Sequence, residues 1–421
     1  MFRHAFEKGC PLHGAEVIWR LLLPDGVDEL ALPLLVGRAL RAFADGYVAV
    51  LLPAYLLALG FGTLDVGILS TTTLLGSALT TLAIGAWGYR FHHRHLLLGA
   101  ALLMMATGFA FAMQKAFWPL LLIAFVGTLN PSSGDVSIFL PLEHARLAEA
   151  GQGNARTALF ARYSLLGALF AALGALAAGI PDWLAAQSGI SHLSSFRGMF
   201  VLYGFIGGVV WLLYRRLPQP SAEAKAPPPT PLGPSRRIVI KLAALFSVDA
   251  FAGGLVINSL MALWLFQRFD VSIAAAGIFF FWAGILTAVS LLAAPWVAQR
   301  IGLLNTMVFT HIPANACLIL AAMAPSIELA VGLLFVRALL SQMDVPTRSA
   351  FVMTVVTPVE RAAAVSFTAV PRSLASAISP TLSGAMFAVG WLAAPLVACG
   401  ILKIAYDLAL WRTFRQYQGK V

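Results

Sequence analysis

Residues 217–237 read LPQPSAEAKAPPPTPLGPSRR. Pro218, Pro220, Pro227, Pro228, Pro229, Pro231 and Pro234 each fix φ and remove a backbone donor, so no regular helix or strand runs through this stretch. The composition predicts an extended, semi-rigid tether. Outward from it, six apolar stretches lie on either side. Each approaches the ~20 mostly apolar residues that a helix needs to cross a bilayer. They are expected near 33–59, 64–87, 95–113, 118–140, 157–180 and 198–217, then 238–266, 273–298, 303–323, 328–350, 362–388 and 391–411. Only helices and closed barrels satisfy their backbone in lipid, and stretches of this length read as helices.

The expected fold is therefore an all-α membrane protein, with twelve transmembrane helices in two pseudo-symmetric six-helix bundles. Its divisions are an N-terminal segment (1–32), a first bundle (33–217), the linker (218–237), a second bundle (238–411) and a tail (412–421). Composition agrees: 60% of the residues are hydrophobic and 11% charged, with a mean hydropathy of +0.85. A soluble chain of this length needs far more charge to cover its surface. The first ~30 residues are broken by Pro and Gly, so no cleavable signal peptide is expected.

Lysine and arginine set the sidedness. Only Lys115, Arg197 and Arg268 fall on one side. The other collects Arg90, Arg94, Arg146, Arg156, Arg215, Arg216, Arg236, Arg237, Arg300, Arg348, Arg361 and both terminal clusters. Both termini and the linker are expected in the cytoplasm, with the protein in the plasma (inner) membrane. The net charge of +10 follows from this topology, and no nucleic-acid partner is expected. Cys10, Cys317 and Cys399 have neither disulfide nor metal spacing. The His92, His93 and His95 cluster is a single loop, where membrane di-iron chemistry needs several. No nucleotide-binding loop, H-E-x-x-H or G-x-S-x-G occurs. Neither an enzyme nor a cofactor is expected.

The two halves echo each other in order. Gly67-Ile68 corresponds to Gly277-Ile278, Tyr89-Arg90-Phe91 to Gln299-Arg300-Ile301, and Arg156 to Arg361. Gly134-Asp135-Val136 lies opposite Met343-Asp344-Val345. A duplicated six-helix unit is a common build of secondary transporters.

On these residues the whole chain resembles the major facilitator superfamily. That family's loop signature, G-x-x-x-D-R-x-G-R-R, is met by Gly85, Arg90 and Arg94, with Tyr89 in place of Asp. Its second copy reads Pro295, Gln299, Arg300, Gly302. The P-x-E-R signature is intact as Pro358-Val359-Glu360-Arg361, and Glu149 with Arg156 keeps the E-x(6)-R spacing. The Gly-Pro pair of efflux antiporters in the fifth span is absent. The resemblance implies a secondary transporter working by alternating access. It also implies a cavity lined by spans one, four, five, seven, ten and eleven, with three, six, nine and twelve outside.

Ionisable residues inside the spans mark the site. Arg41, Asp45, Asp135, Arg162, Asp249, Arg337 and Arg372 fall within them. At ~2.5–3.5 kcal/mol each they would together cost on the order of 20 kcal/mol if unrelieved. They must pair or face water. Arg38, Arg41 and Asp45 share one face of the first span, and Arg337, Ser341, Asp344 and Arg348 form a stripe on the tenth. Asp249 and Asn258 share a face only if Gly253-Gly254 bends the seventh. In the twelfth, Lys403 and Asp407 are spaced to pair with each other.

A carboxylate in low dielectric can take up protons near neutral pH. Asp45 and Asp249 are the proton-site candidates, and a structural ion pair is the alternative. Arg41, Arg162, Arg372 and Asn258 complete the expected substrate cavity. Asp135, Asp344, Arg348, Arg90, Arg300, Glu149, Arg156, Glu360 and Arg361 are the expected cytoplasmic gate. Proton-coupled efflux of a drug or metabolite by a monomer is the leading functional expectation. Proton-coupled uptake of a small solute, anions included, is the alternative, with a non-transporting receptor or an enzyme behind it.

Overall fold

The computed structural model describes residues 23, 26–28, 31–132, 137–218, 233–357 and 360–416. Asp135, Cys10, Pro358-Val359, most of the N-terminal segment, residues 219–232 of the linker and the tail from 417 lie outside the described residues. All regular structure among the described residues is helical. The first half holds α1 (Leu32–Ala58), α2 (Thr63–Trp87), α3 (His93–Met113), α4 (Phe117–Val126), α5 (Phe139–Glu149), α6 (Gly153–Ala177), α7 (Ile180–Ser188) and α8 (His192–Tyr214). The second holds α9 (Arg236–Gly254), α10 (Asn258–Phe269), α11 (Ile273–Ile301), α12 (Leu303–Ala322), α13 (Ile327–Ser341), α14 (Asp344–Val355), α15 (Arg361–Ala388) and α16 (Ala394–Phe414).

Among the described residues, ten segments are long and apolar enough to cross a membrane. They fall at ten of the twelve expected positions. At the eleventh, α15 has 28 residues, but Arg372 and its many serines and threonines keep it too polar to count. The fourth position departs from expectation. The continuous span near 118–140 is instead α4, only 10 residues long, followed by the non-helical residues 127–132 and, from Phe139, by α5. Two features stop α4. A side chain on Gly127 would strike Ile123 O at 2.4 Å and Thr107 Oγ1 at 2.6 Å, and Pro131 cannot donate to a helical ladder.

Two other expected spans are broken in the middle. The seventh divides at Leu255–Ile257 into α9 and α10. There Gly254 packs so tightly on α15 that a Cβ would lie 2.3 Å from Ser376 O. The tenth divides at Gln342-Met343 into α13 and α14. Pro346 sits in the first turn of α14, where its ring would clash with the carbonyl of Gln342 in a continuous helix. The expected stripe Arg337, Ser341, Asp344, Arg348 is thus split between two helices.

The halves meet chiefly where α2 packs on α15 and α6 on α11. These contacts gather at the end of the molecule remote from the linker. There a Cβ on Gly67 would fall 2.7 Å from Pro380 O and 2.9 Å from Gly384 Cα. Thr381 N–H and its hydroxyl reach Thr71 Oγ1 at 3.0 and 2.8 Å. A Cβ on Gly277 would lie 2.5 Å from Ala175 O. Asp182 accepts from Ala274 N–H at 3.2 Å. One apolar core accordingly joins both halves at this distal end. Towards the linker end the second half has a separate core around Phe246, Met307, Phe351 and Phe414. Between the halves at the linker end lies a cleft of about 750 Å³, bordered by Arg156 and Phe160 of α6 and by Ser349 and Met353 of α14.

Candidate functional site

Midway along α1 the halves enclose a cavity of about 330 Å³. The close-packed small residues of α1 and α6 shape one wall: a Cβ on Gly46 would lie 2.1 Å from Ala171 O. From the first half, Arg38 and Asp45 reach the cavity. From the second come Asn258, Arg337, Ser341 and Gln342, with Phe279 and Phe280 of α11 supplying aromatic surface. Asn258 stands at the first turn of α10, placed there by the break after Gly254. The side chain of Asn130 hydrogen-bonds Asp45, and the charges of Arg41 and Arg38 act on it.

Arg41 lies on the same helix as Asp45 but turns to another carboxylate. Its guanidinium is salt-bridged to Glu143 of α5 and stacks over the Phe139 ring at 4.0 Å. Glu143 also accepts the hydroxyls of Tyr163 and Tyr214. Four helices, α1, α5, α6 and α8, are thereby tied to one carboxylate that is 0% exposed. Arg38 lies 5.2 Å from the Tyr163 ring centroid.

The second half has its own buried cluster. Lys403 Nζ of α16 donates to Asp249 Oδ1 at 2.5 Å, and Arg348 reaches Asp249 Oδ2 at 3.3 Å. Arg348 also bonds Asp344, four residues back on its own helix. His311 Nδ1 of α12 lies 3.0 Å from both oxygens of Asp407. The expected Lys403–Asp407 pair is therefore not formed, because each side chain turns inward to a neighbouring helix. Helices at the ninth and twelfth positions, expected to be outer, thus supply polar groups to the interior of their half.

The structure separates the other expected residues. Asp45 and Asn258 share the cavity. Asp249, Asp344 and Arg348 form the second-half cluster. Arg162 of α6 has a buried Nη1 without a hydrogen-bond partner. Arg372 is an exposed residue of α15. Among the expected gate residues, Glu149 pairs with Arg146 at 3.0 Å on its own helix. Arg300 stacks on Trp296 at 3.8 Å. Arg361 Nε donates to Met353 O at 3.0 Å. Glu360 accepts from Gly233 N–H, from Ser235 N–H at 3.1 Å and from the Thr357 hydroxyl at 2.6 Å. Glu149, Arg300 and Arg361 thus find their partners within their own half, and Glu360 within its half and the end of the linker. Arg90 ends the single 3₁₀ turn after α2, and Arg156 borders the linker-end cleft. Hydrogen bonds from Ser235 and Thr357, then from Gly233, hold the Glu360 carboxyl down to about 2.

Glu143, Lys403, His311 and Arg38 join the buried clusters and the cavity wall without being among the site residues expected from the sequence. Glu143 carries a usable signal: Phe139, Leu142, Glu143 and Leu147 sit at helical spacing, and all four are buried.

A family model described as Major Facilitator Superfamily matches residues 34–342. The chain is 24% identical over 417 residues to an uncharacterized membrane protein of Saccharomyces cerevisiae, covering 91% of this chain and 93% of that one. A mutant of the nucleoside transporter NupG superposes with a TM-score of 0.72 at 16% identity, over 92% of this chain and 100% of the other. A bacterial homologue of the human lysosomal transporter Spinster, in an inward-facing and occupied conformation, gives 0.71 at 16% identity, over 92% and 97%. At such identities the likeness to these structures is one of fold.

Proposed function

The chain belongs to the major facilitator superfamily, and from that premise we propose that it carries its small solute by alternating access coupled to protons. The observation that carries this reading is the cavity at mid-depth, with Asp45 at its wall. It lies between a tightly packed distal end and a cleft at the linker end. Rocking of the two halves around such a site would expose it to each side in turn. Asp45 is the proton-linked carboxylate in this reading. Asp249 is an anchor, since Lys403 and Arg348 already occupy both of its oxygens.

The termini and the linker lie in the cytoplasm of a cell whose plasma membrane holds the protein as a monomer. The arginine and lysine distribution supports that orientation. In it, the linker-end cleft opens to the cytoplasm, the side from which an exporter loads. That favours export in exchange for protons. Uptake by symport is the second reading, favoured by the guanidinium groups at the cavity. Reconstitution into proteoliposomes tests both. Addition of solute outside vesicles acidifies the lumen under symport and alkalinises it under antiport. A protein that moves no solute under any imposed gradient would be a receptor or an enzyme.

A further inference from the structure

We propose that the central cavity takes a singly charged organic anion, a carboxylate with a compact apolar body, which Arg337 of the second half and Arg38 of the first engage. The proposal rests on the transporter reading for its setting and is independent of the direction of transport.

Arg337 carries the argument. It sits in the C-terminal half of α13 and lines the cavity. Among the described residues it forms no ion pair, and its Nε is buried without a hydrogen-bond partner. A half-buried guanidinium without a counter-charge is costly, and proteins normally pair it. The other intramembrane cations near the polar clusters are already engaged. Arg41 is held by Glu143, Arg348 by Asp249 and Asp344, and Lys403 by Asp249.

The charge at the cavity wall defines the complement. Among the described residues, Arg38 and Arg337 face it and Asp45 is the single carboxylate in its lining. The uncompensated charge is that of Arg337, which a monoanion neutralises. A dianion such as a phosphomonoester would leave negative charge beside Asp45. A guanidinium presents parallel N–H donors that fit a carboxylate in a two-pronged contact. Phe279, Phe280, Met261 and Leu334 give the wall apolar surface beside the polar Asn258, Ser341 and Gln342. A volume of about 330 Å³ is at the small end of ligand pockets. An aromatic or short branched acid has that size.

The test uses purified full-length protein and three matched pairs: benzoate with benzamide, nicotinate with nicotinamide, salicylate with salicylamide. Thermal shift is measured at neutral pH for the wild type, Arg337→Gln and Arg337→Lys. The same labelled compounds are then offered to proteoliposomes. At least one carboxylate is expected to raise the wild-type midpoint by a few degrees where its amide does not. Arg337→Gln is expected to lose that shift, and Arg337→Lys to keep part of it. Without ligand, Arg337→Gln is expected to melt at or above the wild-type midpoint, because an uncompensated charge has been removed. A structural role for Arg337 would instead lower it.

The proposal is overturned if no carboxylate shifts the wild type, if amides act equally, if the shift survives Arg337→Gln, or if that variant melts lower without ligand. The vesicle arm separates the two readings. Transport of an amide without its carboxylate would retain the transporter and remove the anion site. Arg337-dependent binding of a carboxylate that never crosses the vesicle would retain the site and remove the transporter.

Discussion

Arg41 and Asp45 lie four residues apart on α1, yet Arg41 is salt-bridged to Glu143 of α5. The division of labour inside the first half follows from that choice. Glu143 absorbs the arginine charge and braces four helices, which leaves Asp45 facing the cavity.

Glu143→Gln should therefore be destabilising. It strands a buried guanidinium and weakens two tyrosine hydrogen bonds. Breaking one side of a buried pair costs about 3–5 kcal/mol. Thermal unfolding in detergent should show a large fall for Glu143→Gln and for Arg41→Met. The double variant Arg41→Met with Glu143→Leu should recover much of the loss, because hydrophobic replacement of a whole buried pair is often neutral. Additive losses in the double variant would deny the pairing.

The two midplane aspartates should behave differently. Asp45→Asn should melt within ~1 kcal/mol of the wild type while solute flux loses its response to a pH gradient. Asp249→Asn leaves Lys403 and Arg348 without their shared carboxylate, so it should lower stability by about 3–5 kcal/mol. Parallel unfolding curves and vesicle flux measurements separate these outcomes.

The distal closure should be sensitive to a single side chain. At Gly67 a Cβ meets Pro380 O at 2.7 Å, and backbone there cannot yield as a flexible side chain would. Gly67→Leu should hold α2 away from α15 and bias the carrier towards the distal-open state. Labelling of a cysteine placed at Thr71 by a membrane-impermeant maleimide should rise severalfold. Unchanged labelling would contradict this role for the glycine contact.

Glu360 ties the start of the second half to the end of the linker. Its carboxyl is held at about 2, below its ordinary value of 4.5. A depressed folded value means that the charged form is the one favoured by folding. The stabilisation is fully present above about pH 4.5 and is lost as pH falls through about 2. Hydrogen exchange at the Ser235 amide should stay protected down to that window and open within it. Glu360→Ala should remove the protection at every pH.

Much of this fold was legible in the sequence because lipid imposes a strong rule: a span must be long, apolar and helical. The weak points came where that rule is relaxed inside a bundle. Gly127 and Pro131 stop a span that length alone would have carried to residue 140. Pro346 divides the tenth helix and sends Arg337 and Arg348 to different places. The site was only partly readable, since periodicity fixes which residues share a face but not which helix that face meets. Lys403 and Asp407 have the spacing of an intrahelical pair, and their partners Asp249 and His311 lie far away in the chain. Glu143 looks like a solvated loop charge until Tyr163 and Tyr214 are seen converging on it.

The most direct test of alternating access is a pair of spin-label distances measured on one protein, with the native cysteines replaced. Labels at Arg156 and Met353 report the linker-end cleft, and labels at Leu64 and Val389 report the distal end. Across a pH titration, with and without the carboxylates named above, the cleft distance should shorten as the distal distance lengthens. Two distances that stay fixed, or that open and close together, would contradict a rocking carrier.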